Sequence, residues 1–322
     1  MHKQELLDFI RKISEMDRSQ RMLVADGLAK AEQSQAVFDI IESRFEELGC
    51  CPHCGAGQFH KHGFANSLQR YRCLDCRKTF NALTGTPLAR LRKRESWLEF
   101  LATLMQSLSV RDAARRLNVN SKTAFLWRHR FLEWISEDKA QNLSGITEAD
   151  ETFFLYSEKG KKKLDRPPRM RGGRARKRGL SKEQVCVLVA RDRHDATADF
   201  ITGMGPVSAE GLRENLLPLL DKDALLVSDT NNAYLKFSRD AGITFHRINT
   251  SQKKRVEGAF HVQNVNAYHS RLKEWIRRFH GVATKYLHHY LGWRRALETY
   301  REMSPRLLLS RALMQLPHST GT

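Results

Sequence analysis

The sequence predicts a multidomain α+β chain: a helical N-terminus, a cysteine-rich ribbon, a helix-turn-helix, and then an α/β domain. Three observations predict it. Five of the six cysteines crowd between Cys50 and Cys76. Apolar residues then recur at helical spacing through segments joined by an Asn-containing turn. Beyond about residue 145, short β-branched runs alternate with amphipathic helical ones. A chain of 322 residues has room for two or three domains of roughly 100 to 200 residues each.

Charge narrows the partners. With 55 Lys and Arg against 36 Asp and Glu, the formal net charge is +19. That excess must be solvated or face something negative, and nucleic acid is the leading partner. The sequence contains neither a long uncharged apolar run nor an N-terminal charged-then-apolar leader, so a soluble intracellular protein with no membrane partner is expected.

Residues 1–48 carry Leu6, Leu7, Phe9, Ile10 and Ile13, then Val37, Phe38, Ile40, Ile41 and Phe45, at helical spacing. Two or three helices are expected, as a cap or an oligomerisation element. Residues 49–82 hold Cys51-Pro52-His53-Cys54 and, after an eighteen-residue gap, Cys73-Leu74-Asp75-Cys76. Two such knuckles can present four thiolates to one tetrahedral ion, so a zinc ribbon with a closed, structural site is expected. Phe59, Phe64, Tyr71 and Phe80 would line its hairpins, while Cys50, His60 and His62 are alternative ligands with less regular spacing. Cys186, in Val185-Cys186-Val187-Leu188-Val189, reads as a buried strand thiol rather than a ligand.

Residues 95–140 predict helices capped at Ser96, Ser109 and Ser121, with a turn over 118–120 and Ala113, Ala114 and Leu117 facing inward. In this helix-turn-helix pattern Lys122, Thr123 and Arg128 would face a DNA major groove. The α/β domain spans 145–304, and 305–322 is a tail. The domain opens on Ile146-Thr147-Glu148-Ala149-Asp150-Glu151-Thr152-Phe153-Phe154, a strand with three carboxylates in a basic chain. A basic insertion over 159–182, with twelve Lys or Arg against one acid, reads as a loop able to counter phosphate charge. Strands then follow at 185–192, 197–204, 224–228 and 245–248, and helices at 208–220, 232–241, 260–279 and 285–300. The order β-β-β-α-β-α-β-α is that of an RNase H-like fold, in which the first and fourth strands are neighbours. Asp150 and Asp229, the latter ending the run Leu225-Leu226-Val227-Ser228, would therefore converge, able to share Mg²⁺.

The CPHC and CLDC knuckles, Asp150-Glu151-Thr152, Ser228-Asp229, and Asn266 with Lys273 resemble the bacterial insertion-sequence transposases over about residues 49–300. Those proteins join a zinc ribbon and helix-turn-helix to an RNase H-like catalytic domain with an acidic triad followed by Lys. The family pattern usually places Glu seven residues before that Lys; here the position is Asn266, and a branch of the family is similar in carrying Asn. Asn264 is the alternative, and Glu148, Glu151 and Glu257 are candidate compensators for the missing charge. The resemblance implies a Mg²⁺- or Mn²⁺-dependent transposase with Asp150, Asp229, Asn266 and Lys273 catalytic. It implies terminal inverted repeats and target DNA as partners, His269 and Arg271 helping Lys273 hold a terminal phosphate, a homo-oligomer on DNA, and a cytoplasmic, nucleoid-associated location. The competing expectation is a catalytically impaired or domesticated DNA binder.

Overall fold

Asp17 precedes Gln20 by three residues, the spacing of a reciprocal capping pair, and the computed structural model uses it. Asp17 Oδ1 accepts from the Gln20 N–H, and Gln20 Oε1 accepts from the Asp17 N–H. The structure describes residues 2–164, 166–168, 173, 175–176, 179, 181–248, 256–300 and 304–314. The expected basic insertion therefore lies partly outside the described residues. The chain divides into two compact units, residues 1–131 with 302–322, and residues 132–301.

In the first unit, helix α1 (Lys3–Glu15) is followed by α2 (Arg18–Leu48), which stops at Gly49 with a left-handed φ of 56°. Strands β1 (Phe59–Ala65), β2 (Leu68–Cys73) and β3 (Thr79–Phe80) form an antiparallel sheet. Asn66 and Ser67, both at positive φ, make the tight turn between β1 and β2. Phe45 of α2 stacks on Tyr71 with ring centroids 4.0 Å apart, and Phe59 and Phe80 close the cluster. Phe64, expected in that lining, is instead 74% exposed.

Three helices follow over the stretch expected to be a helix-turn-helix: α3 (Trp97–Met105), α4 (Val110–Arg116) and α5 (Ser121–Glu137), packed around Trp97, Phe100, Trp127 and Phe131. Ser109 caps α4 as expected, accepting from the Asp112 N–H. Ser96 makes no cap bond. At the next helix the capping oxygen belongs to Asn120, which accepts from Lys122, and not to Ser121.

The second unit is built on β4 (Ile146–Leu155), β5 (Gln184–Asp192), β6 (Thr197–Met204), α6 (Ala209–Asn215), β7 (Leu225–Ser228), α7 (Asn232–Ala241), β8 (Thr244–Arg247), the two-residue strands β9 (Val256–Glu257) and β10 (Phe260–His261), α8 (Gln263–Arg277) and α9 (Leu287–Thr299). A mixed five-stranded sheet runs β6-β5-β4-β7-β8. The pairs β4–β5 and β5–β6 are antiparallel, while β4–β7 and β7–β8 are parallel. The helix expected over 208–220 is shorter, because Pro218 opens a separate 3₁₀ turn over Leu217–Leu219. The helix expected from 260 starts at Gln263, the preceding residues being paired in β10. Alternation along β4 sends Ala149, Glu151 and Phe153 to the face shared with Leu188, Tyr234 and Phe237. Glu148, Asp150 and Thr152 go to the opposite face, against α8.

Arg295 of α9 is 3% exposed and pairs with buried Asp199 of β6. It also donates to the carbonyls of Ile135, Ser136 and Asp138 at 2.9–3.2 Å, satisfying acceptors that a helix end leaves open. Replacing it with Met strands a buried carboxylate, a loss of about 3–5 kcal/mol. The Arg295→Met protein is expected to unfold at markedly lower urea, read by circular dichroism. One helical turn earlier, Gly292 lets α9 approach the same segment: a Cβ there would sit 2.5 Å from the Ile135 carbonyl oxygen.

The segment expected to be a tail contains α10 (Pro305–Met314), which packs on α2 and α3 with Leu308, Leu309, Ala312 and Leu313 buried. Its Leu313 carbonyl accepts from Arg44, which also reaches the Ala82 carbonyl.

Candidate active site and metal centre

Parallel pairing aligns Ile146 with Leu225, Thr147 with Leu226 and Glu148 with Val227. Asp150 lies two residues beyond Glu148 and Asp229 two residues beyond Val227, close enough for the Asp229 charge to act on Asp150, and alternation puts the Asp150 side chain on the face that α8 covers. Asp229 stands just past the last residue of β7. One of its carboxylate oxygens accepts from the Asn231 N–H at 3.0 Å. Asn231, rather than Asp229, caps α7, accepting from the Ala233 N–H at 3.0 Å. Asp229 is thus held by its own turn and has no capping duty. Burial first, and then the nearby Asp229 charge, push the Asp150 carboxyl up to about 6, while the Glu151 amide and Lys273 pull the other way.

Helix α8 crosses in front of this pair. Its start is fixed from β4: the fully buried Glu148 accepts from the Val265 N–H at 3.0 Å and forms an ion pair with Arg193 at 2.7 Å, with His261 at 3.3 Å. Glu148 is therefore committed to positioning the helix. On α8, His269 Nδ1 lies 3.8 Å from Asp150 Oδ2. Asn266 precedes His269 by three residues and Lys273 follows by four, so all three share one face. Asn266 and Lys273 are both exposed. Asn264 points to another side of the helix, where it lines a cleft of about 510 Å³ with Arg191, Arg271 and Glu298. Helical phase therefore puts Asn266, and not Asn264, beside Lys273.

Several expected residues are elsewhere. His269 is buried, and burial followed by the Lys273 charge holds it neutral, down to about 3; it lies against Asp150 and offers no cation to phosphate. Arg271 is bound to Glu298 at 2.7 Å, alongside Arg191 and Arg294. Against the effect of burial, bonds from Arg271 and Arg191 hold Glu298 down at about 2. Glu257 pairs with His246 at 3.1 Å. Arg128, expected in a DNA groove, is 1% exposed and donates to the Leu108 carbonyl at 2.6 Å, fixing the α3–α4 connection. Lys122 is exposed and Thr123 half-buried at the start of α5.

The residue that sequence reasoning undervalued is Glu151. It lies behind the sheet, where Asn231 Nδ2 donates to it at 3.4 Å. Burial and the Asp150 charge raise it to about 7. Its adjacency to Asp150 was visible, but the partner on α7 was not. With the buried Asp150 carboxylate close enough to Asp229 for the two charges to act on one another, the pair offers oxygen donors of the kind a hard divalent cation takes.

In the ribbon, Cys51, Cys54, Cys73 and Cys76 bring their sulfurs within 4.8 Å of one another. Cys51 and Cys76 are 3.7 Å apart and Cys54 and Cys73 are 3.6 Å apart. A tetrahedron with Zn–S of about 2.3 Å requires S···S of about 3.8 Å, so the cage fits zinc. Against the effect of burial, the Cys76 and Asp75 amides and the neighbouring thiols bring Cys73 down to about 7, towards the thiolate that a metal takes. Cys50, His60 and His62 are not in this group.

Residues 142–294 match the model of the ISXO2-like transposase domain. That span contains β4, β7 and α8, and so every residue just described around Asp150. A Halobacterium salinarum relative, named an uncharacterized protein in transposable element ISH50, is 27% identical over 256 residues, covering 79% of this chain and 85% of the relative. A pre-cleavage Mos1 transpososome structure aligns over 63% of this chain and 76% of that one, at 9% identity and a TM-score of 0.21, too low to bear on the fold. The domain match and the relative support a transposase. Among the described residues, no helix is long and apolar enough to cross a membrane.

Proposed function

We propose that the chain is the DNA transposase of an insertion sequence, cutting and joining DNA ends at an RNase H-like site of Asp150, Asp229, Asn266 and Lys273. The observation that carries the reading is that the parallel strands β4 and β7 bring Asp150 and Asp229, the latter just past the end of β7, close enough for their charges to interact, inside the stretch that matches a transposase domain. Asp150, Asp229 and the Asn266 amide oxygen would hold Mg²⁺ or Mn²⁺. A bound divalent ion would supply an activated water and neutralise charge on the leaving oxygen. The chain's own residues do the rest. Lys273 orients a terminal phosphate, Glu148 fixes the α8 start that carries Asn266, and Asn231, gripped by Glu151, steadies Asp229. Lys122 and Thr123 on α5, with the basic ribbon face of Arg70, Arg72, Arg77 and Lys78, would bind the terminal inverted repeats.

The test is purified protein with Mg²⁺ or Mn²⁺ and a labelled duplex carrying the element end. Nicking and joining to a target duplex are expected. Tight binding without nicking under either metal would reject the enzyme and leave a DNA binder. Cut ends without joined products would leave a nuclease.

A pH signature follows from the raised carboxyls. Asp150 carries its proton up to about pH 6 in the folded protein, well above the ordinary carboxylate range of about 4. It therefore stabilises the metal-free fold at low pH and loses that contribution as pH rises from about 4 to 6. A cation competes with that proton. Millimolar Mg²⁺ is expected to raise the melting temperature at pH 7.5 and to leave it unchanged at pH 5, read by scanning fluorimetry. An equal shift at both values would argue that Mg²⁺ binds elsewhere.

A further inference from the structure

Helix α1 and the first half of α2 bury none of their residues; in α2 the buried residues begin at Ala36. Yet α1 presents Leu6, Phe9, Ile10 and Ile13 on one side, and Met22 and Leu23 of α2 are 64% and 72% exposed. An apolar stripe of this kind on a helix marks a surface that another surface covers. Charge argues against nucleic acid as that cover: residues 2–35 carry six Lys or Arg and six Asp or Glu, so none of the chain's net +19 resides there. Glu5 and Lys12 flank the stripe on the same edge, two helical turns apart, and the Glu5 carboxylate is held in place by the His2 N–H at 2.7 Å.

That edge is self-complementary in only one orientation. Two copies of α1 laid antiparallel put Glu5 of each opposite Lys12 of the other, whereas in a parallel two-fold pair the two copies of this edge lie on opposite sides of the seam and do not meet. We propose that α1, with the exposed first half of α2, is the surface through which two copies of this chain pair, α1 against α1 in antiparallel, two-fold fashion. A single pair of helices about 20 Å long falls short of the roughly 800 Å² per partner that stable interfaces bury, so Met22, Leu23 and Leu28 belong to the covered area. The proposal stands apart from the catalytic reading, since it concerns the chain without DNA or metal at the carboxylates.

Sedimentation velocity of the full zinc-loaded chain in the micromolar range, without DNA, tests it. The wild type is expected to be a dimer. The Leu6→Asp/Ile10→Asp variant should be monomeric, its dissociation constant raised about 100-fold or more, with unchanged circular dichroism because those positions lie outside the core. Glu5→Lys and Lys12→Glu should each weaken self-association about 10-fold, and a mixture of the two should recover dimers, as opposed edges become opposite in sign. A wild type that is monomeric, or a Leu6→Asp/Ile10→Asp variant that stays dimeric, overturns the proposal. So does a mixture that associates no better than its parts.

Discussion

Asp229→Asn is expected to abolish strand joining, by about 10³-fold or more, while leaving affinity for the terminal-repeat duplex unchanged. The substitution keeps side-chain volume and retains an amide oxygen that can accept from the Asn231 N–H, as Asp229 Oδ1 does at 3.0 Å, so the turn into α7 survives. What it removes is one of two carboxylates close enough for their charges to interact. A 10³-fold loss is about 4 kcal/mol of transition-state stabilisation, within what a divalent cation held by these carboxylates would supply. The loss should fall on turnover rather than on DNA affinity, because the groups proposed to bind DNA lie on α5 and the ribbon. Single-turnover joining and filter binding on the same preparation separate the two. Joining that continues within tenfold of wild type would move the chemistry away from Asp229.

Asp229 also shows what the chain discloses on its own. The apolar run ending in an acid, the alternation around Asp150 and the order of elements can be read from the chain, and together they bring two distant carboxylates near one another, one on β4 and one just past β7. Glu148 was no less visible as an acid. Its duty, binding the Val265 N–H at the start of α8, depends on a contact 117 residues away that no spacing reveals. The early start expected for α8 failed for the same reason, since β10 and Glu148 decide where the helix begins. His269 was judged by its neighbour Lys273, whereas its burial is set by the sheet beneath.

Arg128 is a different failure, because a sharper use of helical phase finds it. It lies four residues after Ala124 and four before Leu132, both buried, which puts it in the inward row of α5, out of phase with exposed Lys122. Charge type was allowed to outweigh periodicity. Asn266 is the converse: phase alone ties it to His269 and Lys273 and separates it from Asn264, which lines the Arg271 cleft.

Removing the metal from the ribbon is expected to unfold it and, with it, DNA-end binding, while the second unit keeps its fold. The ribbon's own core holds little besides Cys51, Cys73 and Phe80 buried, with Phe45, Phe59 and Tyr71 partly covered. An apolar cluster of that size does not offset the chain entropy of some thirty residues. Four thiolates on zinc supply the missing term, on the order of 10 kcal/mol in small ribbons at neutral pH. The second unit rests instead on a five-stranded sheet with helices on both faces and uses no cysteine ligand. Cys73→Ser should therefore reproduce chelation: loss of bound zinc by elemental analysis, loss of amide protection in β1 and β2 by hydrogen exchange, and terminal-repeat affinity down at least tenfold, with protection in β4 and β5 intact. Acid should mimic both treatments, because protons compete with the metal for the thiolates. A Cys73→Ser protein that retains one zinc per chain and full protection in β2 would mean that the four cysteines do not hold the ion.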